Sequence, residues 1–260
     1  MKSLTVLTVS LLNEDLVTLL IKSFEKFKPK ELHVNYVVVE NSDETSYRDR
    51  ICSLTPNVTW IQNPIQKELV AGASWAHGIG LNKGIQEVKD EWVFICDSDT
   101  MVSDFSFFSE MLDKINENFS LVGTSYDPTR INAIHPTGLL VKSQIAKSVD
   151  LQPCESENLD TANRITQYVR ENNLTYYAFR NTWNDSSYIN IINEPYKTWG
   201  DCGVDRCLNS NGDVMFLHLG RGTAKSGDLH WKNHRIFDAK AGYDRWLSFG
   251  KQLTHDKNIL

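Results

Sequence analysis

A chain of 260 residues, 41% hydrophobic and 23% charged, has enough material for one large buried core and the composition of a soluble globular protein, which excludes disordered and fibrous classes. Its net charge of −6 offers no broad attraction for nucleic acid or anionic lipid, so a phosphate-bearing ligand has to be held by local features such as a bound divalent cation. No apolar run approaches the roughly 18 residues that span a bilayer and the start lacks a basic segment, so no transmembrane helix or signal peptide is expected and the expected location is cytoplasmic.

Residues 4 to 12 (LTVLTVSLL) are continuously apolar and β-branched, as in a strand buried on both faces of a parallel sheet, and Asn13 punctuates the run. From Glu14 to Phe27 the residues Leu16, Leu19, Leu20 and Phe24 recur at helical spacing, and Lys28-Pro29 ends the helix. A second buried strand, His33 to Val39, stops at the polar cluster Glu40-Asn41-Ser42-Asp43, and Asn57 to Gln62 reads as a third. A Gly-interrupted helix from Ser74 to Val88 leads into the strand Trp92 to Cys96, which ends at Asp97-Ser98-Asp99.

Beyond Ser103 the spacing of Phe108, Met111, Leu112 and Ile115 predicts a helix, and Leu121 to Ser125 and Gly138 to Val141 read as strands. The later half is less regular, with a helix expected from Glu157 to Glu171 and strands at Leu174 to Phe179 and Val214 to Leu217. Alternating strands and helices imply an α/β fold with a doubly wound, mostly parallel central sheet flanked by helices. One domain is expected over 1–260, with a regular half (1–105) and a less regular half (106–260). Cys52, Cys96, Cys154, Cys202 and Cys207 are odd in number and scattered, which suits reduced thiols and neither a disulfide framework nor a zinc knuckle. The sequons at Asn57, Asn118, Asn173 and Asn184 matter only in a secreted chain.

In open α/β sheets ligands bind beyond the carboxyl ends of the strands. The polar clusters around Asn13, around Glu40 and at Asp97 to Asp99 all lie at such ends. Side chains alternate along an extended chain, so Asp97 and Asp99 point the same way and offer hard oxygen ligands suited to Mg²⁺ or Mn²⁺ bridging the phosphates of a nucleotide. The competing reading is a polar turn that merely caps a strand.

These residues resemble family 2-like nucleotide-sugar glycosyltransferases of the GT-A fold. The first strand ending TVSLLNE (Thr8 to Glu14) is similar to their first nucleotide-binding turn, and VVVENS (Val37 to Ser42) to their V-V-D-N-S. Gly78 to Ile85 (GIGLNKGI) resembles the helix that precedes the D-x-D strand, and the D-x-D itself closes the series in the family's order. The resemblance implies a metal-dependent transfer of a sugar from a UDP, GDP or dTDP donor to the hydroxyl of a glycan or glycoconjugate. It further implies Ser10, Asn13 and Glu40 against the nucleoside, Asn82 near sugar or diphosphate, Asp97 on ribose or metal, and Asp99 on the metal. Leu81 stands where some members carry Arg, which leaves the diphosphate to another group such as Lys83 or Arg221.

Two later segments carry the likeness further. Trp199-Gly200-Asp201-Cys202-Gly203-Val204-Asp205 resembles the acceptor-side motif that supplies the base of inverting members, with Asp201 or Asp205 as the proton acceptor and Trp199 against the acceptor. The alternative is Asp201 as the N-cap of a helix running to about Asn209, ended by Asn211-Gly212. Phe216 to Thr223 (FLHLGRGT) resembles the H-L-G-G-G-T/S segment, which makes His218 either a third metal ligand or a hydrogen-bonded core histidine. His135-Pro136-Thr137-Gly138 resembles a segment lining the donor-sugar pocket in some members, or is a turn before a strand. His230 and His234 read as a solvated helix face, since Trp231 replaces the glutamate of a zinc protease motif. A Rossmann dehydrogenase and a P-loop enzyme are excluded by the missing glycine patterns. A sugar nucleotidyltransferase, or a silent GT-A domain acting as a carbohydrate-binding or scaffolding module, are the alternatives.

Overall fold

The structure is a computed structural model and describes residues 1–65, 72–197, 204–220 and 239–255. The first half alternates strands and helices: β1 (Ser3–Ser10), α1 (Glu14–Phe27), β2 (His33–Glu40), α2 (Arg48–Cys52), β3 (Val58–Gln62), α3 (Ala73–Ile85) and β4 (Trp92–Asp97). Then come β5 (Thr100–Val102), α4 (Ser106–Asn116), β6 (Leu121–Gly123), β7 (Tyr126–Asp127), β8 (Ala133–Ile134), β9 (Gly138–Lys142), α5 (Ser143–Lys147), α6 (Asn163–Glu171) and β10 (Tyr176–Ala178). The described remainder is β11 (Asp205–Leu208), β12 (Val214–His218) and α7 (Ala239–His255).

Seven strands form the central sheet in the order β10-β6-β9-β4-β1-β2-β3, with β9 antiparallel to both neighbours and every other pairing that links the rest parallel. Both faces are covered, which is why the strands read as unbroken apolar runs. Leu4, Val6, Val34, Tyr36, Val38 and Phe94 join one core with Phe24 of α1 and Phe107 and Phe108 of α4. The alternate residues Leu7, Val9, Val37, Val39, Val93 and Ile95 join another with Leu81 and Ile85 of α3 and Ile165 and Val169 of α6. Burial of each such phenylalanine or aliphatic side chain contributes about 1.5–3 kcal/mol, so the two faces together fix which side of every strand is which.

The ladder places the carboxyl ends of four strands level: Ser10 pairs with Glu40, Val9 with Asp97, and Glu40 with Gln62. A second, three-stranded antiparallel sheet in the order β11-β12-β5 stands beside this edge. In it His218 lies opposite both Asp205 and Thr100.

Several expectations are corrected. No helix runs to Asn209: residues 205–208 form β11, paired antiparallel with β12. The physical reason is the turn that follows, where the Asn209 side chain accepts from the N–H groups of Asn211 and Asp213 and Gly212 adopts φ +93°, closing a hairpin rather than ending a helix. The helix expected from Glu157 starts only at Asn163, because Asn158 and Ala162 take left-handed backbone conformations that interrupt it. α2, β5, the short pair β7 and β8, α5, β11 and α7 are additional to the elements expected. Among the described residues no helix is long and apolar enough to cross a membrane, and Cys52, Cys96, Cys154 and Cys207 are free thiols.

Candidate active site

The D-x-D turn is made by β4 running straight into β5. The Thr100 hydroxyl donates to the Asp97 carbonyl (2.8 Å) and the Leu219 N–H donates to the Asp99 carbonyl (2.9 Å), so the turn is tied to itself and to the end of β12. This brings His218 against both acids: its Nε2 is 3.4 Å from Asp97 Oδ2 and 3.5 Å from Asp99 Oδ1. One ligand atom from each of the three residues lies within 4.8 Å of the others. Two ligands about 2.1 Å from one ion stand about 3–3.5 Å apart, so the donor set fits a divalent cation, with two hard oxygens and one imidazole.

Behind these atoms stand two more groups. Asp205 Oδ2 lies 3.2 Å from His218 Nδ1, and His77 Nδ1 of α3 lies 3.4 Å from Asp97 Oδ1. The two carboxyl oxygens of Asp97 are thereby divided, one toward each histidine. Burial alone lowers the pKa of His218, but Asp99, the hydrogen bond to Asp205 and the charge of Asp97 outweigh it and push the value up to about 9. Asp99 is 5% exposed, so without a cation the imidazolium is the counter-charge that makes two adjacent acids tolerable.

His135 joins the same neighbourhood. Burial lowers its pKa against the opposing charge of Asp97, with His218 lowering it further; its Nδ1 accepts from the Thr137 N–H at 3.3 Å. Its ring meets the indole of Trp183 edge-on at 5.0 Å. Trp183 is 43% exposed, yet its backbone is fixed: Asn181 accepts its N–H (2.7 Å), and Thr182 pairs with Arg206 of β11.

At the β1 and β2 ends the geometry is of another kind. Glu40 is fully buried, and its carboxylate accepts from the Leu12 N–H (3.2 Å), the Ser42 N–H (3.0 Å), the Ser42 hydroxyl (2.6 Å) and the Tyr47 hydroxyl. Burial, followed by the bond to Glu40, raises the Tyr47 pKa, so the phenol stays a donor. Glu40 therefore ties the turn after β1, where Leu12 sits at φ 57°, to the turn after β2. Ser10 and Asn13 are buried in that turn, and Asn13 Nδ2 donates to the Leu11 carbonyl at 2.9 Å. Asn82 is engaged elsewhere: its amide donates to Asp150 (2.6 Å) and accepts from the Leu151 N–H (2.9 Å), binding α3 to the turn after α5.

Asp97, Asp99, His218, Asp205 and His135 thus converge, while Ser10, Asn13 and Glu40 lie at the neighbouring strand ends. Asp201, Trp199, Arg221, His230 and His234 lie outside the described residues. His77 escapes a reading of motifs because the glycines of α3 draw attention to the residues after it; the signal is a polar residue one turn before buried Leu81, on a helix that delivers into the D-x-D.

No protein-family profile and no curated protein sequence matches the chain. Solved structures do. The mannosyltransferase PcManGT from Pyrobaculum calidifontis, in complex with GDP-Man and Mn²⁺, superposes with a TM-score of 0.52 at 13% identity, covering 67% of this chain and 54% of that one. TarS from S. aureus in complex with UDP-GlcNAc gives 0.48 at 16% identity over 68% of this chain and 59% of that chain. Glucosyl-3-phosphoglycerate synthase from Mycobacterium tuberculosis, with Mn²⁺, UDP and glucosyl-3-phosphoglycerate, gives 0.48 at 11% identity over 68% and 70%. The matched region is about half the length of PcManGT. The chain has the GT-A type fold, with its mostly parallel seven-stranded sheet flanked by helices.

Proposed function

We propose that this chain is a divalent-metal-dependent glycosyltransferase that takes a sugar from a nucleotide-sugar donor and passes it to a hydroxyl acceptor, a glycan or glycoconjugate. The observation that carries this reading is the convergence of Asp97, Asp99 and His218 at the carboxyl edge of a GT-A sheet. In that reading these three residues hold Mn²⁺ or Mg²⁺, and the ion supplies positive charge to the diphosphate as it leaves the anomeric carbon. Ser10, Asn13 and the Glu40-linked turns shape the nucleoside side, and Asn82 steadies α3 beside it. The donors held by relatives of this fold include GDP-Man and UDP-GlcNAc, so UDP and GDP are the first nucleotides to test. Asp201 is the proposed base of an inverting transfer, with Trp199 seating the acceptor.

Calorimetry with UDP and with GDP, in Mn²⁺ and in EDTA, tests the reading. Nucleotide affinity that requires Mn²⁺ is expected, and Asp99→Asn, which keeps the size of the side chain but not its charge, is expected to remove it in a protein that still folds. Equal affinity in EDTA would take the metal out of the site. Absence of any nucleotide binding would point instead to a silent carbohydrate-binding or scaffolding domain.

A further inference from the structure

We propose that Asp205 and His77 are positioning residues that hold the ligand atoms of His218 and Asp97 in place before the cation arrives. Neither takes the acceptor's proton. The inference rests on the metal reading above and goes beyond it by assigning the layer behind the ligands.

Asp205 and His218 are direct partners in the β11–β12 ladder, and directly opposed side chains in an antiparallel pair stand about 5 Å apart at Cβ, within reach of a hydrogen bond. The bond observed is Oδ2 to Nδ1 at 3.2 Å. An ionised carboxylate only accepts, so Nδ1 carries the proton, and when a cation displaces the second proton the Nε2 lone pair is the one left facing Asp97 and Asp99. Asp205 thus selects the tautomer and the ring orientation that a cation needs. An acceptor hydroxyl seeking this carboxylate as base would have to compete with the imidazole already held there.

His77 does the corresponding service from the opposite side. Its Nδ1 is 3.4 Å from Asp97 Oδ1, while Asp97 Oδ2 is the oxygen turned to His218. The height of α3 is set by close contacts at its glycines: a Cβ on Gly78 would fall 2.7 Å from Gln152 Cα, and on Gly80 2.7 Å from a Val9 methyl. His77 is therefore delivered by a helix that cannot settle differently without repacking. His77 Nε2 is buried and has no hydrogen-bond partner among the described residues. Asp97 and His218 are each held by a group from an element that supplies no ligand itself.

The test uses Mn²⁺ alone as probe, on the full chain. Titration followed by electron paramagnetic resonance should show wild-type Mn²⁺ binding weakened about 10–100-fold in Asp205→Ala, the usual range for losing a partner behind a metal ligand. A smaller loss is expected in Asp205→Asn, which keeps an acceptor, and a measurable loss in His77→Ala that His77→Gln, which keeps a donor, partly restores. Imidazole nitrogen NMR in alkaline buffer, where the metal-free imidazole is neutral, should show the His218 Nδ1–H tautomer preference lost in Asp205→Ala, a signature that a purely structural role would not move. At saturating Mn²⁺, UDP or GDP affinity should return to the wild-type value. Mn²⁺ affinities unchanged within about twofold in both alanine variants, with melting temperatures intact, would overturn the proposal. So would nucleotide affinity that stays low at saturating Mn²⁺. A wild-type protein that binds no Mn²⁺ would defeat the metal reading itself, and is recognised as such because the variants then have no reference to fall from.

Discussion

His218 answers to two opposed demands. In the metal-free protein its imidazolium is the counter-charge that faces Asp97, Asp99 and Asp205, with His135 a further titratable group facing it, and its pKa is pushed up to about 9 from an ordinary 6.5. A group whose folded pKa is raised stabilises the fold fully below the unfolded value and loses that contribution as pH rises through the folded one. Melting of the metal-free protein should therefore fall between about pH 6.5 and 9. Mn²⁺ must displace the same proton, so its affinity should climb over that window by up to about tenfold per pH unit. Calorimetric melting in EDTA and Mn²⁺ titrations at three pH values measure the two opposite slopes. Parallel slopes would show that His218 is no ligand. Glu40 makes a second residue-scale prediction, since its carboxylate is taken up by Leu12, Ser42 and Tyr47. Glu40→Ala should cost several kcal/mol in urea unfolding, about 1–3 for each donor left buried without an acceptor. Weakened nucleotide binding with unchanged stability would mark it as a direct nucleoside contact instead. At this scale the sequence is readable where chemistry is local: Asp97 and Asp99 are two residues apart on one strand end. The pairing of His77 with Asp97 and of Asp205 with His218 depends on distances that no spacing encodes.

Among the elements, the long strands and α1 were legible because burial on both sheet faces, or on one helix face, writes itself as an apolar run or a 3.6-residue period. β5 and β11 were not, because segments of three or four residues such as Thr100–Val102 or Asp205–Leu208 are too short to show any period. α7 carries Gly242 and Gly250, and each glycine inside a helix weakens its pattern. Gly250 has a packing reason, since a Cβ there would stand 2.6 Å from Leu19 and 2.9 Å from Met101. The closest approach of helix to sheet is at Gly84 of α3, where a Cβ would meet a Leu7 methyl at 2.4 Å and a Val39 methyl at 2.7 Å. Gly84→Val should therefore destabilise by about 1–3 kcal/mol through overpacking, and by lifting α3 it should also weaken Mn²⁺ binding through His77. Urea unfolding and a Mn²⁺ titration on the same preparation check both effects. Loss of stability with full Mn²⁺ affinity would separate the helix from the site.

On the scale of the molecule, residues 118 positions or more apart in the chain, such as Asp99 and His218, meet because β12 pairs with β5 in a fixed register: His218 against Thr100, Leu217 against Met101, Phe216 against Val102. Side chains alternate between the faces of a strand, so one added residue turns all that follow it over. A glycine inserted after Phe216 should thus present Leu217 where His218 now stands and abolish Mn²⁺ binding. The same insertion after Asn173, in the exposed turn that follows α6, should leave binding as it was. Length differences among chains of this architecture should therefore collect in turns such as the one at Asn173 and avoid the stretch from Val214 to His218, where an odd change turns the imidazole to the other face and an even one carries it about 7 Å along the strand, away from the acids.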